Sequence, residues 1–379
     1  MKHAYTHISR YQDWLIDEAL PYWAKAAINT SGGFHEKLTM DGKPVTDCPR
    51  RVRVQARLTQ VYSVAAHYAW YKNARYVSDH GWDFITAAGM ASDQEMPGIA
   101  HLLNPDGSLL DGTRDTYAQA FLLLAAAWRI KAFNDPGAKN VMEQTNDFLN
   151  STLLHPDKGW REGKPESLPR RQNPHMHLFE AFMACYEATN DTRYLVQARK
   201  IYDLFLSTFF NENNGFLIEY FDDDLSVHKE KGHLVEPGHM MEWVWLLNWF
   251  DRLTGSQSKK LKTQLYTKAE QIGMNQITNL LFDQTSTSGD VLKNTSRLWT
   301  LTEYIKASLV MNELQKADTL IEKLFNYYLT VNVTGGWSDT LDQQGGKTAG
   351  FMETSSFYHL IGVNMELERL GLLDDKPTT

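Results

Sequence analysis

Apolar segments long enough to be helices recur along this chain about every 60 residues, and this period restricts the possible folds more than any other feature. A polar or aromatic residue stands near the start of each segment. Successive members of this set are 60, 60, 62, 60 and 60 positions apart: Arg57, Tyr117, His177, His239, Trp299 and His359. About 60 residues hold two helices and two loops, so the period predicts a repeated helical pair. The six predicted apolar segments are 55–71, 116–132, 175–188, 239–253, 297–311 and 355–370.

The six segments are apolar on nearly all sides, as TYAQAFLLLAAAW at 116–128 illustrates. A helix of this kind must be enclosed by other elements. The segments between them, such as 191–209 and 259–281, have a narrower apolar stripe and are predicted to be helices with one solvated side. Six enclosed and six amphipathic helices predict an all-α protein, a closed (α/α)6 barrel formed by a single domain over residues 1–379. Few strands are expected, and FLIEYFDDD at 216–224 predicts one short hairpin in a loop.

Charge and hydropathy argue against several classes of partner. The chain has 38 Lys and Arg against 46 Asp and Glu, a net charge of −8, which argues against binding to nucleic acid or to an anionic membrane. No apolar run of ~18 residues is present to span a bilayer, and the first residues lack the apolar segment of a secretory signal. The two cysteines, Cys48 and Cys185, form no disulfide framework, so we expect a cytoplasmic protein. A homo-oligomer is compatible with the sequence, because an outer helix that contacts another subunit has the same apolar pattern as one that contacts water.

In a closed barrel the inner helices run parallel, so their first turns open onto one face. Those turns carry polar or aromatic side chains in otherwise apolar helices: Arg53, Arg57, Asp115, Tyr117, His175, His177, Glu180, His239, Glu242, Arg297, Trp299, Glu303 and His359. A spacing of three residues puts His177 with Glu180, and His239 with Glu242, on shared helix faces. Buried charges are costly unless they are paired, so this set predicts a polar pocket. At least three histidines favour proton transfer near neutral pH.

Other chemistries use similar residues. His175 and His177 with Glu180 offer ligands to a metal, but their spacing matches no HExxH or EF-hand motif, and we predict neither a metal nor a cofactor. No GxGxxG that follows a strand and no GxSxG nucleophile motif is present. A glycoside hydrolase that uses Glu242 or Asp115 as its acid is a rival hypothesis, and so is a barrel that binds a sugar without converting it.

Six motifs, taken together, resemble the N-acylglucosamine 2-epimerase superfamily: RVQAR at 53–57, RDTYAQAF at 114–121, NPHMHLFEA at 173–181, EPGHMMEW at 236–243, RLWTLTE at 297–303 and SSFYHL at 355–360. They occur in the superfamily's order and together cover most of the chain. The superfamily includes N-acylglucosamine 2-epimerases, cellobiose 2-epimerases and aldose–ketose isomerases that act on mannose or on a sulfonated glucose. The resemblance implies an (α/α)6 barrel and an enzyme that converts a small-molecule sugar without a metal or a nucleotide.

The resemblance also implies roles for individual residues. His239 and His359 match the two facing histidines that act as acid and base on either side of the sugar, and Arg57 matches the arginine near the C1 and C2 oxygens. His177 matches a histidine that helps to open the sugar ring, and Glu242 matches a carboxylate that holds and tunes the histidines. These five are the predicted catalytic residues. The predicted substrate-binding residues, of which Glu303 is also expected to tune a histidine, are Arg53, Tyr117, Asn173, Glu180, Trp299 and Glu303.

The matching residues fit proton transfer at C2 of an open-chain aldose. Return of the proton to C1 on the same face gives a ketose, whereas reprotonation of C2 from the opposite face gives the epimer. Both outcomes use the same two histidines. The surroundings of RVQAR and of TEYIKA at 302–307 favour the isomerase branch, so we predict interconversion of D-mannose and D-fructose. The alternative is a 2-epimerase of the mannose/glucose or cellobiose type.

One difference from the superfamily concerns anionic sugars. Its sulfosugar isomerases have glutamine where this chain has Ser355, and an arginine in the loop before EPGH, where this chain offers Lys229 and Lys231. The resemblance therefore favours a neutral sugar. The polar loops at 31–50 and 222–235 are expected to cover the mouth of the barrel.

Overall fold

The computed structural model describes residues 5–90 and 96–374, and helices make up most of them. Helices α1 to α13 of the described residues span, in chain order, Thr6–Asp13, Leu20–Ala26, Val52–His67, Ala74–Phe84, Thr116–Phe133, Pro136–Phe148, Gln172–Thr189, Thr192–Leu204, Pro237–Thr254, Lys259–Gly273, Leu298–Val310, Leu314–Leu324 and Phe357–Arg369. Five π-helical segments join or extend the outer helices: Trp14–Ala19, Ile85–Gly89, Leu149–Leu153, Phe205–Phe209 and Phe325–Leu329.

The helices form two concentric rings. Helices α3, α5, α7, α9, α11 and α13 each contact the next, and α13 returns to α3, which closes the inner ring. Each of α4, α6, α8, α10 and α12 packs on the inner helix that precedes it, and α1 packs on α12 and α13 as the sixth outer helix. This arrangement confirms the predicted (α/α)6 barrel. A single domain over residues 1–379 stays a prediction, since residues 1–4, 91–95 and 375–379 lie outside the described part of the chain.

The burial pattern explains why each helix lies in the inner or in the outer ring. In α5 all residues from 118 to 129 are buried, as expected for a helix enclosed on every side. In α12 the buried residues, such as Ala317, Ile321 and Leu324, follow a three-to-four-residue spacing, and the other face meets solvent. The helix predicted over 259–281 ends earlier, at Gly273. A Cβ at Gly273 would lie 2.7 Å from the ring of Pro237, so this helix end packs directly on the start of α9.

Membrane insertion finds no support in residues 5–90 and 96–374, where no helix is both long and apolar enough to cross a bilayer. Cys48 and Cys185 are both free thiols, in agreement with the absence of a disulfide framework.

Short strands lie between the helices. Strands β1 to β16 of the described residues span Lys37–Thr39, Arg50–Arg51, Leu102–Leu103, Leu109–Asp111, Arg114–Asp115, Gly163–Lys164, Arg170–Arg171, Phe210–Asn211, Phe216–Leu217, Tyr220–Phe221, Leu234–Val235, Gln284–Ser286, Val291–Lys293, Ser296–Arg297, Thr340–Leu341 and Phe351–Glu353. A strand comes just before each inner helix. Each of these strands is only two or three residues long, so helices dominate the described residues as predicted, and segments this short show no alternating pattern by which the sequence could locate them.

The hairpin predicted at 216–224 is not formed within those bounds. Strand β9 of this segment pairs with β8, which precedes it, whereas β10 pairs with β7, which precedes helix α7. The end of the segment turns back beyond the predicted bounds, where Phe221 pairs with Val227.

The six repeats share one hydrogen-bonding device where the chain leaves an outer helix. In each repeat a backbone N–H donates to a carbonyl at the end of that helix, as His35 does to Ala27 and Ile218 to Phe209. The residue that follows the donor is polar in every repeat, and we call these the brace residues: Glu36, His101, Glu162, Glu219, Asp283 and Asp339. Four of them accept the backbone N–H of a strand residue that precedes an inner helix: Arg51, Arg171, Arg297 and Glu353. The brace residues therefore fix the entry of the chain into the inner ring.

Close packing between the rings leads to a stability prediction. Gly81 of α4 faces α3, and a Cβ there would lie 2.3 Å from the Phe34 ring and 2.4 Å from the Thr59 hydroxyl. Gly81→Ala is expected to lower the free energy of unfolding by about 1–3 kcal/mol, because it overpacks a filled site. Urea titration measures this change. The matched control is Gly350→Ala, where a Cβ meets no atom within 4 Å. Equal effects at the two positions would contradict the packing argument.

Candidate active site

A cavity of about 350 Å³ opens at the end of the barrel where the inner helices begin. All six inner helices contribute side chains to it from their first turns. The predicted site residues that line it are Arg53, Arg57, Tyr117, Asn173, His177, His239, Glu242, Trp299 and His359. The rim includes residues 339, 340, 353, 355 and 356. No residue from the loops 31–50 and 222–235 lines it, so the prediction that those loops cover the mouth is not supported. The loops before α13 take that place.

His359 is held by a buried chain of charged groups. Its Nδ1 lies 2.8 Å from Oε1 of Glu303, and Oε2 of the same carboxylate lies 2.7 Å from Nζ of Lys306. Glu303 is 0% exposed and Lys306 is 1% exposed. The carboxylate accepts the Nδ1 hydrogen, so the Nε2 lone pair of a neutral His359 is left free for a proton. Glu303, which we expected both to bind substrate and to tune a histidine, lies behind His359, where it contacts the imidazole but does not line the cavity. Lys306 was not predicted.

His239 is held by a different carboxylate. Its Nδ1 lies 3.0 Å from both oxygens of Glu219, one of the brace residues. Gln172 donates to Glu219 at 2.9 Å and accepts from the indole of Trp243 at 2.8 Å, which fixes the carboxylate. Neither Glu219 nor Gln172 was predicted. The signal that would have identified Glu219 is its equivalence to acidic residues in four other repeats.

The two histidines differ in their affinity for protons. Burial opposes a charge on His239, but the carboxylates of Glu219 and Glu236 outweigh it and raise its pKa to about 9. Burial lowers the pKa of His359 well below its ordinary value, and the positive charges of Arg57 and Lys306 add to this effect. At pH 7, His239 is therefore an imidazolium and His359 a neutral imidazole. Groups whose pKa values are driven apart in this way mark an acid and a base.

The surroundings of His239 agree with a protonated ring. Nδ2 of Asn173 lies 3.2 Å from Nε2 of His239, while Oδ1 of Asn173 has no hydrogen-bond partner among the described residues. An imidazolium donates from Nε2, so it pairs with Asn173 once the amide is turned to bring its oxygen to the ring. In this orientation Oδ1 of Asn173 accepts the Nε2 hydrogen of the His239 imidazolium.

Trp299 lies close to both histidines. Its ring centre is 5.2 Å from that of His239 and 5.7 Å from that of His359, and both ring pairs are tilted by about 35°. Gly238 allows this approach, because a Cβ there would lie 2.7 Å from the indole. Both imidazoles therefore lie next to one indole ring in the same cavity, close enough together to act on one small molecule.

Arg57 is fixed by aromatic rings. Its Nη2 donates to the Tyr117 hydroxyl at 2.7 Å, and its guanidinium carbon lies 4.2 Å from the ring centre of Phe121 and 4.9 Å from that of Tyr358. The buried Nε of Arg57 has no hydrogen-bond partner in the described part of the chain. A guanidinium held in this way is suited to stabilise an oxygen on which negative charge develops.

His177 and Glu242 form a neutral part of the cavity wall. Nδ1 of His177 lies 3.2 Å from Glu180, and its Nε2 lies 3.9 Å from Oε1 of Glu242. Burial lowers the pKa of His177 to about 4. Burial and the nearby Glu303 carboxylate raise the pKa of Glu242 well above its ordinary range, which favours its protonated form. This pair offers a neutral imidazole and a carboxylic acid to a ligand.

Besides Glu303, three polar residues predicted at the mouth of the barrel do not line the cavity. Glu180, which we expected to bind substrate, lies behind His177 and accepts the Tyr358 hydroxyl. His175 accepts the N–H of Trp160 at 2.9 Å, and burial lowers its pKa to about 3, so its role is structural. Asp115 caps α5 through the N–H of Ala118 and pairs with His101, which leaves it poorly placed to act as the acid of a hydrolase.

Two clusters offer three ligand atoms each to a cation. They are His177 with Glu180 and Glu242, and Glu242 with Glu303 and His359. The ammonium of Lys306 already lies against Glu303, so a cation in the second cluster would meet both its repulsion and a carboxylate in use. In the first cluster Glu180 already binds Tyr358. These donor sets fit a hydrogen-bonded proton-transfer site better than a metal centre.

Comparison with known proteins covers almost the whole chain. The family profile described as N-acylglucosamine 2-epimerase (GlcNAc 2-epimerase) matches residues 32–363. A protein of Rhizobium meliloti (strain 1021) named mannose-6-phosphate isomerase is 33% identical over 380 residues, which cover 94% of this chain and 95% of that protein. A D-mannose isomerase of Thermobifida fusca is 28% identical over 264 residues, 64% of this chain and 63% of that protein. A crystal structure of a D-mannose isomerase superposes with a TM-score of 0.85 at 19% identity and covers 95% of this chain and 98% of the other.

Proposed function

Because this chain belongs to the N-acylglucosamine 2-epimerase family, as its motifs predicted, and is an enzyme that acts on sugars, we propose that it is an aldose–ketose isomerase that interconverts D-mannose and D-fructose. The observation that carries the proposal is the pair of histidines next to Trp299, one an imidazolium and the other a neutral base. The names of the Rhizobium meliloti and Thermobifida fusca relatives, both isomerases of mannose or its phosphate, point to the same reaction class.

The proposed reaction starts from the open-chain aldose. His359 removes the proton from C2 through Nε2, while His239 donates its Nε2 proton to the carbonyl oxygen on C1, and an enediol forms. His359 then returns its proton to C1, and His239 recovers a proton from the oxygen on C2, which becomes the ketone. Arg57 stabilises the oxygens as their charge develops, and neutral His177 with protonated Glu242 assists ring opening. Each histidine ends the cycle in the protonation state in which it began.

A 2-epimerase is the second candidate, because the same two imidazoles line one cavity next to Trp299. If His239 were to protonate C2 directly, the configuration at C2 would invert and the product would be an epimer. The imidazolium state of His239 makes this step chemically possible. The description of the family as N-acylglucosamine 2-epimerase supports this candidate.

Proton NMR distinguishes the two reactions. D-mannose is incubated in D2O with the purified, EDTA-treated protein. Isomerisation is expected to give fructose with deuterium at C1, and the same result shows that no removable metal is needed. Glucose labelled at C2 would instead establish the epimerase. Retention of the C2 hydrogen of mannose, lyxose, glucose, N-acetylmannosamine and cellobiose alike would overturn both.

The pH dependence of kcat/KM tests the roles of the two histidines. The acid form of His239 is needed, so activity falls as pH rises through its pKa of about 9, whereas the acid limb lies below pH 6.5 because the pKa of His359 is lowered. Glu219→Gln removes a carboxylate that raises the pKa of His239. We expect this change to move the alkaline limb down by about one pH unit or more.

The matched control for this measurement is Glu162→Gln. Glu162 is the equivalent brace residue of another repeat, and it binds Arg171 instead of a histidine. We expect the alkaline limb of kcat/KM in Glu162→Gln to stay at the wild-type pH, even if this variant is less stable than the wild type. An alkaline limb that does not move in Glu219→Gln would show that another group sets it.

A further inference from the structure

Arg53 occupies the outer part of the cavity. It stands in the first turn of α3, four residues before Arg57, which corresponds to a rise of about 6 Å along the helix. Its guanidinium carbon lies 5.5 Å from the ring centre of Tyr117, the same ring whose hydroxyl accepts from Arg57. The two arginines therefore flank one aromatic side chain, with Arg57 deeper and Arg53 nearer the mouth.

The other arginines of the rim are already neutralised. Arg51 pairs with Glu36 and with Glu353. Arg297 likewise pairs with two carboxylates, those of Glu236 and Asp283. Within residues 5–90 and 96–374, by contrast, Arg53 has no carboxylate oxygen within 4.0 Å and no hydrogen-bond acceptor. Asp115 acts on Arg53 only from a greater distance, and it already binds His101 and the N–H of Ala118.

The acids that line the cavity are engaged with groups other than Arg53. Within the described residues Arg57 also has no carboxylate partner, but the proposed reaction places against it the sugar oxygens on which negative charge develops in the transition state. Burial and the Glu303 carboxylate raise the pKa of Glu242, and Asp339, whose pKa burial raises to about 7, accepts from Ser356 and from the N–H of Glu353. A half-buried guanidinium without a counterion is costly, so a bound anion would stabilise it.

The position of Arg53 indicates which part of a substrate carries that anion. C1 and C2 of the sugar must lie near the two histidines and Arg57. The offset of about 6 Å between the two arginines along α3 is comparable with the length of an open-chain hexose from C1 to C6. Thr340 and Ser355 line the same cavity and offer hydroxyls to a charged group.

We propose that the cavity binds a hexose with an anionic group at the end remote from C1, of which a phosphate monoester is the best match, and that Arg53 binds this group. The proposal rests on the proposed isomerase function for the position of C1 and C2. It replaces the expectation of a neutral sugar, which came from the absence of another subgroup's anion-binding residues. Arg53 supplies the charge from α3 instead.

Calorimetry with unreactive ligands tests the subsite without turnover. Mannitol 6-phosphate and mannitol have no carbonyl group, so they report binding alone. We expect the wild-type protein to bind the phosphate at least about 10-fold more tightly than mannitol, and Arg53→Gln to lose most of this preference. Arg53→Lys should retain part of it, because the charge is kept. The control is Arg75→Gln, an exposed residue of the outer helix α4, which should retain the wild-type preference.

Kinetics separates failure of this proposal from failure of the proposed function. The ratio of kcat/KM for mannose 6-phosphate to that for mannose should exceed about 10 in the wild type and should fall at least 10-fold in Arg53→Gln. D-mannuronate, with a carboxylate at C6, distinguishes a general anion site from a phosphate site. Isomerisation of mannose with no preference for either charged sugar would overturn the subsite alone. No conversion of any of the three sugars would instead overturn the isomerase on which it rests.

Discussion

Replacing His359 with glutamine is expected to lower kcat by about 10²–10⁴-fold, the usual contribution of a general base. Glutamine keeps a polar group of similar size next to Glu303 but has no nitrogen that accepts a proton. Because His359 is proposed to remove the C2 proton, exchange of that hydrogen with D2O should be lost together with the product. His239→Gln should also slow turnover, since protonation of the carbonyl oxygen assists enolisation, but we expect some exchange at C2 to persist.

The control for this pair is His101→Gln. His101 is a histidine at the same end of the barrel that binds Asp115 and does not line the cavity, so turnover should stay within a few-fold of the wild type. Proton NMR in D2O measures exchange and product in a single experiment. Wild-type exchange in His359→Gln, combined with its loss in His239→Gln, would reverse the two roles.

Replacing Lys306 with methionine is expected to lower the free energy of unfolding by about 3–5 kcal/mol. The change leaves the Glu303 carboxylate, which is 0% exposed, without its ammonium partner, and an unpaired buried charge is strongly destabilising. The double variant Lys306→Met with Glu303→Gln removes both charges and should recover much of this loss. Urea titration of the two single variants and the double variant gives the coupling between them.

A second readout distinguishes positioning from a purely structural role. Lys306 lowers the pKa of His359, so its removal should raise that pKa. The base form of His359 exists above its pKa, and the acid limb of kcat/KM should therefore move to higher pH. Lys262→Met, which breaks a mostly buried pair with Asp251 elsewhere in the barrel, should cost stability but leave the limb unchanged. The positioning role would be refuted if the acid limb of kcat/KM lay at the same pH in Lys306→Met and in Lys262→Met.

The fold was predictable because its determinants are local and repeated. An inner helix such as α5 must be apolar on all sides and an outer helix such as α12 on one side only, and a single pass along the sequence shows this difference. The 60-residue period then indicates a closed ring. The short strands were not predictable in this way, since β7 and β10 obtain their order from pairing with each other and not from their own two-residue sequences.

The site was predictable in part. Spacing and resemblance led to the cavity residues on the inner helices, and nine of the eleven predicted residues line it. Glu219 was missed because it lies on a connection between helices, where no periodicity marks a residue as buried. Lys306 was missed because a lysine within a helix is ordinarily assigned to a solvated face. Both act through long-range contacts with a histidine, which no local pattern reveals.

The closure of the inner ring has a consequence for how this protein is made. Strand β1 pairs with β16, Lys37 opposite Glu353, and α3 packs on α13, so the two sides of the last seam are separated by most of the chain. At ribosomal rates, β16 and α13 are synthesised on the order of tens of seconds after β1 and α3. His359 lies just after that seam. A nascent chain can therefore pack its first five inner helices before His359, the proposed catalytic base, has been synthesised. Catalytic activity is then expected only after the inner ring has closed.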